Sequence, residues 1–219
     1  MKILKSTVVF FNFKSGSNSN SVEVENAFIS HSNITISGEN NRVIIRGDLI
    51  RCSIDIIGDN NVVIFEGDTK IHFVKIIQRG SGCCISVGEQ SSIEGAFMVC
   101  MGIDNRIEIG RKCMLSDSID IWNSDAHPVF GSDGQLINES KPIFIKDHVW
   151  IGKGVKILKG ITIAEDSIVG MGAIVTKDID KRGSLCVGTP ARPIKSGLSW
   201  NRHFITEFAL GVSYNEELL

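Results

Sequence analysis

The sequence has little proline, no long apolar run and no clustering of charge. Only 4 of its 219 residues are proline, so little proline-rich linker is expected. An apolar run of about 18 residues, which a membrane-spanning helix needs, is absent, and residues 1–17 contain no small-residue cleavage site of a signal peptide. The formal net charge is −2, with Lys and Arg spread along the chain. We therefore predict a soluble cytoplasmic protein with no membrane insertion and no nucleic-acid partner.

The cysteines lack the spacings that metal sites need. They are Cys52, Cys83, Cys84, Cys100, Cys113 and Cys186. None of them forms a CxxC pair, and no combination of His and Cys is spaced like a set of ligands. The adjacent Cys83 and Cys84 are not expected to be nucleophiles, because no His or Asp motif accompanies them. We interpret the cysteines as reduced core or turn residues and predict no metal site.

Branched aliphatic residues dominate what is present. The chain contains 33 isoleucines and 17 valines but only 10 leucines, a bias that favours strands over helices. Its 22 glycines predict many turns. A chain of 219 residues is long enough for one well-buried domain with a small appendage.

A period of six residues organises the C-terminal half. Six aliphatic residues follow one another at this spacing: Ile145, Ile151, Ile157, Ile163, Val169 and Val175. An upstream frame of the same period contains Ile103, Ile109, Leu115 and Ile121. Neither an amphipathic helix nor a simple alternating strand has this period, but a short strand followed by a bend does. If three such units make one coil, and coils stack at about 4.8 Å, every sixth aliphatic side chain points into a common interior. The pattern therefore predicts an all-β fold, a β-solenoid.

Earlier segments are less regular, and one later segment breaks the period. Gly38–Asn41 and Gly58–Asn61 share the pattern Gly-acidic-Asn-Asn, and their spacing indicates irregular coils of about 20 residues. The sixfold pattern lapses over residues 122–144, where Gly131–Gly134 is a strong turn signal. We predict a loop there that leaves the solenoid, and long loops in compact domains usually carry function.

The two ends of the chain are predicted to lie outside the regular repeat. Helical patterning is found only at Ser199–Val212, where aromatic and aliphatic residues could line one face. We therefore divide the chain into an N-terminal cap segment, residues 1–30, a parallel β-helix domain, residues 31–196, and a C-terminal helical tail, residues 197–219.

Four segments resemble a known family. Asp147–Gly154, Ile168–Ile179 and Gly188–Ile194 are similar to the hexapeptide-repeat acyltransferases, whose fold is a left-handed parallel β-helix. The loop segment Ser124–Phe130 is most similar to the bacterial polysaccharide and sialic-acid O-acetyltransferases. The resemblance implies a left-handed parallel β-helix of hexapeptide repeats with an extruded active-site loop. It also implies a homotrimer in which acetyl-CoA lies between neighbouring β-helices and the loop of one subunit closes the site.

The same resemblance assigns roles to individual residues. The position of the catalytic histidine in the family matches His127, and Trp150 matches a tryptophan that lies near the acetyl group. The residues implied to contact CoA are Lys153, Met171, Gly172, Thr176, Lys177 and Arg192.

The chemistry of the loop agrees with these roles. Acetyl transfer from a thioester to a hydroxyl needs a base, and histidine, with an ordinary pKa of about 6.5, suits that task at neutral pH. His127 lies in the predicted loop, with Pro128 stiffening its exit and Asp125 near enough to help orient the ring. A metal site like that of carbonic anhydrases of this fold would need three converging imidazoles, and only His127 and His148 lie in the recognisable repeats. The other histidines, His31, His72, His148 and His203, are interpreted as structural or exposed.

Two further features have both a functional and a simple structural interpretation. Trp150 should point outward, because it precedes inward Ile151, and an outward tryptophan needs either a ligand or a neighbouring subunit to cover it. A group of basic residues near the C-terminal end suits the phosphates of CoA, or is an ordinary set of solvated charges. They are Lys177, Lys181, Arg182, Arg192 and Lys195.

The leading hypothesis is an O-acetyltransferase. It would move an acetyl group from acetyl-CoA to a hydroxyl of a sugar or polysaccharide by direct attack, with His127 as general base. An N-acetyltransferase for an amino sugar is the alternative within enzymes. A non-catalytic β-helix that serves in assembly is the alternative of another class, and the His127 loop argues against it.

Overall fold

Parallel β-strands run around three faces of a solenoid. The computed structural model describes residues 1–206. The strands are β1 (Lys2–Leu4), β2 (Thr7–Ser15), β3 (Ser21–Glu25), β4 (Phe28–Ser37), β5 (Arg42–Ile45), β6 (Asp48–Ile50), β7 (Ser53–Ile57), β8 (Val62–Phe65), β9 (Lys70–His72), β10 (Val74–Ser81), β11 (Cys84–Val87), β12 (Ser92–Ile93), β13 (Ala96–Ile103), β14 (Arg106–Ile109), β15 (Met114–Leu115), β16 (Ile119–Trp122), β17 (Ile143–Ile145), β18 (Trp150–Ile151), β19 (Lys156–Ile157), β20 (Thr162–Ile163), β21 (Ile168–Val169), β22 (Ile174–Val175), β23 (Leu185–Val187) and β24 (Arg192–Lys195). In the part of the chain that the structure describes, no helix is long and apolar enough to cross a membrane.

Hydrogen bonds between successive coils assemble these strands into the three faces. Face 1 is the eight-stranded sheet β1-β3-β5-β8-β11-β14-β17-β20. The second sheet bends at β4, which pairs with both β6 and β7. One arm of this sheet is face 2, β6-β9-β12-β15-β18-β21-β23, and the other is face 3, β7-β10-β13-β16-β19-β22. Each regular coil contributes one strand to each face in turn, as β14, β15 and β16 do, so the predicted parallel β-helix is confirmed.

The interior is the predicted stack of aliphatic side chains. All six residues of the C-terminal frame, from Ile145 to Val175, are buried in one hydrophobic core. The upstream frame is buried at Ile109, Leu115 and Ile121. Ile103 departs from it and is 79% exposed, because it ends β13 where the chain turns towards face 1.

The length of a coil changes along the chain. Before the loop, residues that stack on one another in successive coils have a sequence separation of 20 to 23, for example 20 for Asn41 and Asn61 and 23 for Met98 and Ile121. After the loop, the stacked corner residues His148 and Asp166 have a separation of 18, which is three units of six. The strict sixfold period therefore belongs to the coils after the loop.

A ladder of asparagines stacks at the corner between faces 3 and 1 in the earlier coils. Asn41 donates from Nδ2 to Asn20 Oδ1 at 3.1 Å, and Asn61 donates to Asn41 Oδ1 at 3.0 Å. The Oδ1 of Asn61 then accepts from the Cys83 N–H at 2.9 Å. At this corner Gly58 has a φ of +121°, and a Cβ there would lie 1.9 Å from the Gly80 carbonyl oxygen, so only glycine fits. The repeated Gly-acidic-Asn-Asn pattern thus encodes a stacked corner.

The two ends of the described chain extend the solenoid. Residues of the predicted cap segment also pair in parallel, β1 with β3 and β2 with β4. At the other end, residues 199–204 are not helical. Arg202 donates to Ser92 Oγ at 2.7 Å and to the Gln90 carbonyl oxygen at 3.0 Å, so this segment lies across face 2. Ile205 and Thr206 are helical, and residues 207–212 of the predicted helix lie outside the described residues.

Candidate active site

The predicted loop leaves face 3 after β16 and returns to face 1 at β17. Asn123, at the start of the loop, is buried. It forms hydrogen bonds with β13 and with the far end of the loop. Its Oδ1 accepts from the Met101 N–H at 2.8 Å, and its carbonyl oxygen accepts from the Lys141 N–H at 2.9 Å. Near the tip, an antiparallel bridge pairs Phe130 with Leu136. The loop is therefore an ordered segment with a fixed base.

A polar cluster fixes the backbone around His127. Asn138 donates from Nδ2 to Asp125 Oδ2 at 3.0 Å and to the His127 carbonyl oxygen at 2.9 Å. Lys159, which follows β19, donates from Nζ to the same Asp125 oxygen at 2.5 Å and to the Asn138 carbonyl oxygen at 2.9 Å. The Lys159 ammonium and the Asn138 amide hold the pKa of the Asp125 carboxyl below its ordinary value. Asp125 thus acts as the anchor of the loop.

His127 presents an exposed ring above this cluster. Its N–H donates to the Asp125 carbonyl oxygen at 2.8 Å. Among residues 1–206 its imidazole has no hydrogen-bond partner, and the predicted contact between the ring and the Asp125 carboxylate is not formed. Asp125 instead positions the backbone of His127 through Asn138, which leaves both ring nitrogens open to a substrate.

Trp150 lies on face 2 and points outward, as predicted. It is 38% exposed, whereas its neighbour Ile151 is buried. Its ring lies 5.9 Å from that of Trp200, which stacks on His148 with a centroid distance of 4.3 Å and an interplanar angle of 6°. Trp200 also donates from Nε1 to the His148 carbonyl oxygen at 2.9 Å. The tail segment therefore forms one side of the Trp150 environment.

His148 belongs to this structural support. It takes a φ of +55° at the corner before β18, and its Nδ1 forms a hydrogen bond with Asp166 Oδ1 at 2.8 Å. Burial alone would raise the pKa of Asp166, but its bonds with His148 and Arg182 bring that pKa below the ordinary value. The interpretation of His148 as a structural corner residue agrees with these contacts.

Three of the residues predicted to contact CoA meet at the corner between faces 2 and 3. Gly172 donates from its N–H to the Lys153 carbonyl oxygen at 2.8 Å, so they lie on adjacent coils. Met171 is 76% exposed beside them. A Cβ at Gly172 would meet no atom within 4 Å, so the corner is open to a ligand. The Lys153 ammonium contacts Asp117 Oδ2 at 2.9 Å and lowers the pKa of that carboxyl.

The other three residues predicted to contact CoA, which are Thr176, Lys177 and Arg192, lie near the C-terminal end of the solenoid. Thr176 and Lys177 follow β22 and are exposed. Lys177 and Arg192 line one groove of about 580 Å³, together with Lys181 and Lys195. The acidic residues in this groove are Asp178 and Asp180, so four basic groups face two acidic ones. This excess of positive charge suits a phosphorylated ligand.

One described chain does not bring His127 and Trp150 together. His127 lies in the loop at the corner between faces 3 and 1, whereas Trp150 begins face 2 after the next corner. Their rings are not in contact within residues 1–206.

A group of residues beside the loop escaped the sequence-based prediction. A cleft of about 280 Å³ lies between the loop and face 3. Its lining includes Trp122, Asp120, Lys156 and Lys159. The alternation of β16, with Ile119 and Ile121 buried, is the signal that could have shown that Asp120 and Trp122 point outward.

Sequence comparisons find relatives with the same repeats. Residues 142–177 match the family described as bacterial transferase hexapeptide (six repeats). A polysialic acid O-acetyltransferase of Neisseria meningitidis is 27% identical over 187 residues, covering 84% of this chain and 77% of that protein. A polysialic acid O-acetyltransferase of Escherichia coli O1:K1 is 34% identical over 124 residues, covering 55% of this chain. The chain spans 39% of the length of the E. coli relative.

A solved structure extends the likeness to almost the whole chain. The crystal structure of the polysialic-acid-specific acetyltransferase NeuO superposes with a TM-score of 0.73 at 28% identity, covering 91% of this chain and 88% of that one. The comparisons therefore confirm the predicted resemblance to the hexapeptide-repeat acyltransferases, among which the chain is similar to the polysialic-acid O-acetyltransferases.

Proposed function

We propose that the protein transfers an acetyl group from acetyl-CoA to a hydroxyl of a sugar or polysaccharide. The observation that carries the proposal is the ordered loop that presents the His127 ring, unpaired among residues 1–206, beside a cleft. The names of the relatives, O-acetyltransferases acting on polysialic acid, support the class of reaction. The reaction would take place in the cytoplasm, where thiols stay reduced, and none of the six cysteines forms a disulfide within residues 1–206.

His127 is the general base of the proposed step. Its ring nitrogen takes the proton of the acceptor hydroxyl while the oxygen attacks the thioester carbonyl carbon. The carbon–sulfur bond then breaks, and the CoA thiolate leaves with the proton from the imidazolium. The product is an acetyl ester, and no acetyl-enzyme is formed.

The donor lies on the coils after the loop in this proposal. Its pantetheine arm passes the open corner at Lys153, Met171 and Gly172, and its phosphates lie near Thr176, Lys177 and Arg192. The site is completed in a homotrimer, where Trp150 of a neighbouring subunit reaches the acetyl group. Separation of His127 and Trp150 on one chain supports this arrangement.

A screen of purified protein with acetyl-CoA against a panel of sugars tests the proposal. We expect acceptor-dependent release of thiol and a product whose acetyl group is removed by mild alkali. An alkali-stable amide would instead favour the N-acetyltransferase. No thiol release with any sugar, despite binding of CoA, would contradict both enzymatic readings.

A further inference from the structure

A second surface extends from the loop over face 3 and reaches Asp117, the partner of Lys153, at the corner between faces 2 and 3. An open cleft of about 820 Å³ lies along β10, β13 and β16. It shares Asp120 and Lys156 with the 280 Å³ cleft beside the loop, so the two are continuous. The donor residues predicted from the sequence lie on the coils after the loop, whereas this groove lies mainly on the coils before it. At the loop end the groove is lined by Ser124 and Asp125, which precede His127 in the loop.

Aromatic side chains form the floor of the groove. Phe97 and Trp122 pack edge to face, with ring centroids 5.2 Å apart at an interplanar angle of 84°. Lys75 covers Phe97 with its Nζ 5.0 Å from the ring centroid. Phe73 stands at one end, 54% exposed and with a φ of +52°, a conformation that bulky residues rarely adopt. Flat aromatic surfaces with adjacent polar groups are suited to the apolar faces and hydroxyls of sugar rings.

One hydrogen-bond donor in this surface is unused. The Nε1 of Trp122 is buried and has no partner among the described residues. Buried polar groups are nearly always paired, so an unpaired donor beside a cleft indicates a ligand or water oxygen. The neighbouring Asp120 carboxylate supplies acceptor oxygens for a hydroxyl. Asp120 and Trp122 are the two outward residues of β16.

The charge of the groove distinguishes it from the C-terminal groove. Its two clefts are lined by the bases Lys75, Lys156 and Lys159 and the acids Glu94, Asp117, Asp120 and Asp125. Lys156 contacts Asp120, and Lys159 contacts Asp125. Three basic groups against four acidic ones leave no excess positive charge to attract an acceptor with a carboxylate on every unit. The C-terminal groove, by contrast, has four bases and two acids.

We propose that this surface, the acceptor groove formed by Phe73, Lys75, Phe97, Asp120 and Trp122, binds an uncharged glycan chain. The chain stacks on Phe97 and Trp122 and directs one hydroxyl towards His127. This inference rests on the proposed function for its catalytic part, but it makes a separate claim about binding. The acceptor is uncharged, and it is held over several coils of face 3.

A glycan array with the full chain tests the binding claim without any chemistry. The array carries neutral oligosaccharides of several lengths and their carboxylated counterparts, such as galactose and galacturonic acid oligomers. We expect binding to neutral chains, and about tenfold weaker binding in Phe97→Ala. Phe144→Ala is the matched control, because Lys146 covers Phe144 at 5.2 Å on face 1. It should bind the glycans like the unaltered protein.

Several results of the glycan array would contradict the proposal. Binding restricted to carboxylated glycans, binding to no neutral glycan, or equal binding by the Phe97 and Phe144 variants would overturn the proposal. If Phe97→Ala dissociates an oligomer and leaves glycan binding intact, a second copy of the chain covers this face instead. Because CoA binding and thiol release are measured separately, failure of the acetyl transfer leaves this result interpretable.

Discussion

The coils before the loop and the coils after it pack the same kind of interior with different lengths of chain. Before the loop, stacked positions of successive coils are separated by 20 to 23 in the sequence, and strands such as β10 are eight residues long. After the loop the separation is 18, and strands such as β18 and β21 are two residues long. Both sets bury isoleucine and valine at their inward positions.

The additional residues of the earlier coils lie in longer strands and in corners that are stabilised by side-chain hydrogen bonds. There the asparagine ladder satisfies backbone groups from one coil to the next. The later coils have short glycine-containing corners, such as that at Gly172, which leave space for a ligand. In our proposals, the earlier coils hold the acceptor and the later coils hold the donor. His127 lies where the two sets meet.

The largest expected effect on turnover comes from removing His127, which lies at the junction of the two sets of coils. Replacing His127 with Ala should lower turnover by about 100-fold to 10,000-fold, the usual contribution of a positioned base. Thermal unfolding and CoA binding should not change, because the ring is exposed and makes no hydrogen bond in the described chain. His72→Ala on β9 is the matched histidine control and should retain full turnover. Near-normal turnover of His127→Ala would remove its catalytic assignment.

The stability of the earlier coils should depend on the asparagine ladder. Asn61→Ala leaves the Cys83 N–H without a partner and removes the Nδ2 bonds to Asn41 Oδ1 and the Gly80 carbonyl oxygen, which should lower the free energy of unfolding by about 1–3 kcal/mol. Ser167 is a buried corner residue of the later coils, and its Oγ makes a bond of 3.5 Å to the Glu165 carbonyl oxygen. Ser167→Ala should therefore lower the free energy of unfolding by a smaller amount than Asn61→Ala. Denaturant unfolding of both variants measures the difference, and equal losses would argue against a special role of the ladder.

Donor binding should depend on the later coils alone. Charge reversal at Lys177 or Arg192 should raise the KM for acetyl-CoA about tenfold, or about 1.4 kcal/mol, with a smaller change in kcat. Lys14→Glu, on β2 of the earlier coils, is the control and should leave this KM unchanged. Steady-state kinetics with varied acetyl-CoA distinguishes these outcomes. If both reversals leave the KM unaltered, the donor is bound elsewhere.

The smallest expected effect concerns the anchor between the loop and the later coils. Asp125 has a pKa below its ordinary value because of Lys159 and Asn138. A lowered pKa in the folded state stabilises the loop at pH values above the ordinary value of 3.8, and this contribution is lost as the pH falls below it. Lys159→Met should raise the pKa of Asp125 in a carboxyl NMR titration and reduce turnover only a few-fold. An unshifted titration would mean that the Lys159 contact is not maintained in solution.

Local repetition explains which features could be predicted from the sequence. Ile145 to Val175 revealed the interior because each coil repeats the same inward position, and the lapse of that pattern located the loop. The His127 and Trp150 roles came from a resemblance, and the structure agrees with the ordered loop and the outward tryptophan. Features that join distant coils were not predictable, because no short-range pattern encodes them. The stacking of Trp200 on His148, at a sequence separation of 52, and the groove formed by Phe97 and Trp122 depend on the register between coils.

The loop adds one coil's length of chain without adding a coil. Cys113 and Val149 lie on successive coils at a sequence separation of 36, which is twice the separation of 18 between His148 and Asp166 on the later coils. The strands on either side therefore keep the same phase as if the loop were absent. In evolutionary terms, such a segment can be gained, lost or exchanged as a unit without rebuilding the interior. A solenoid of this kind can change its reaction by replacing one insertion.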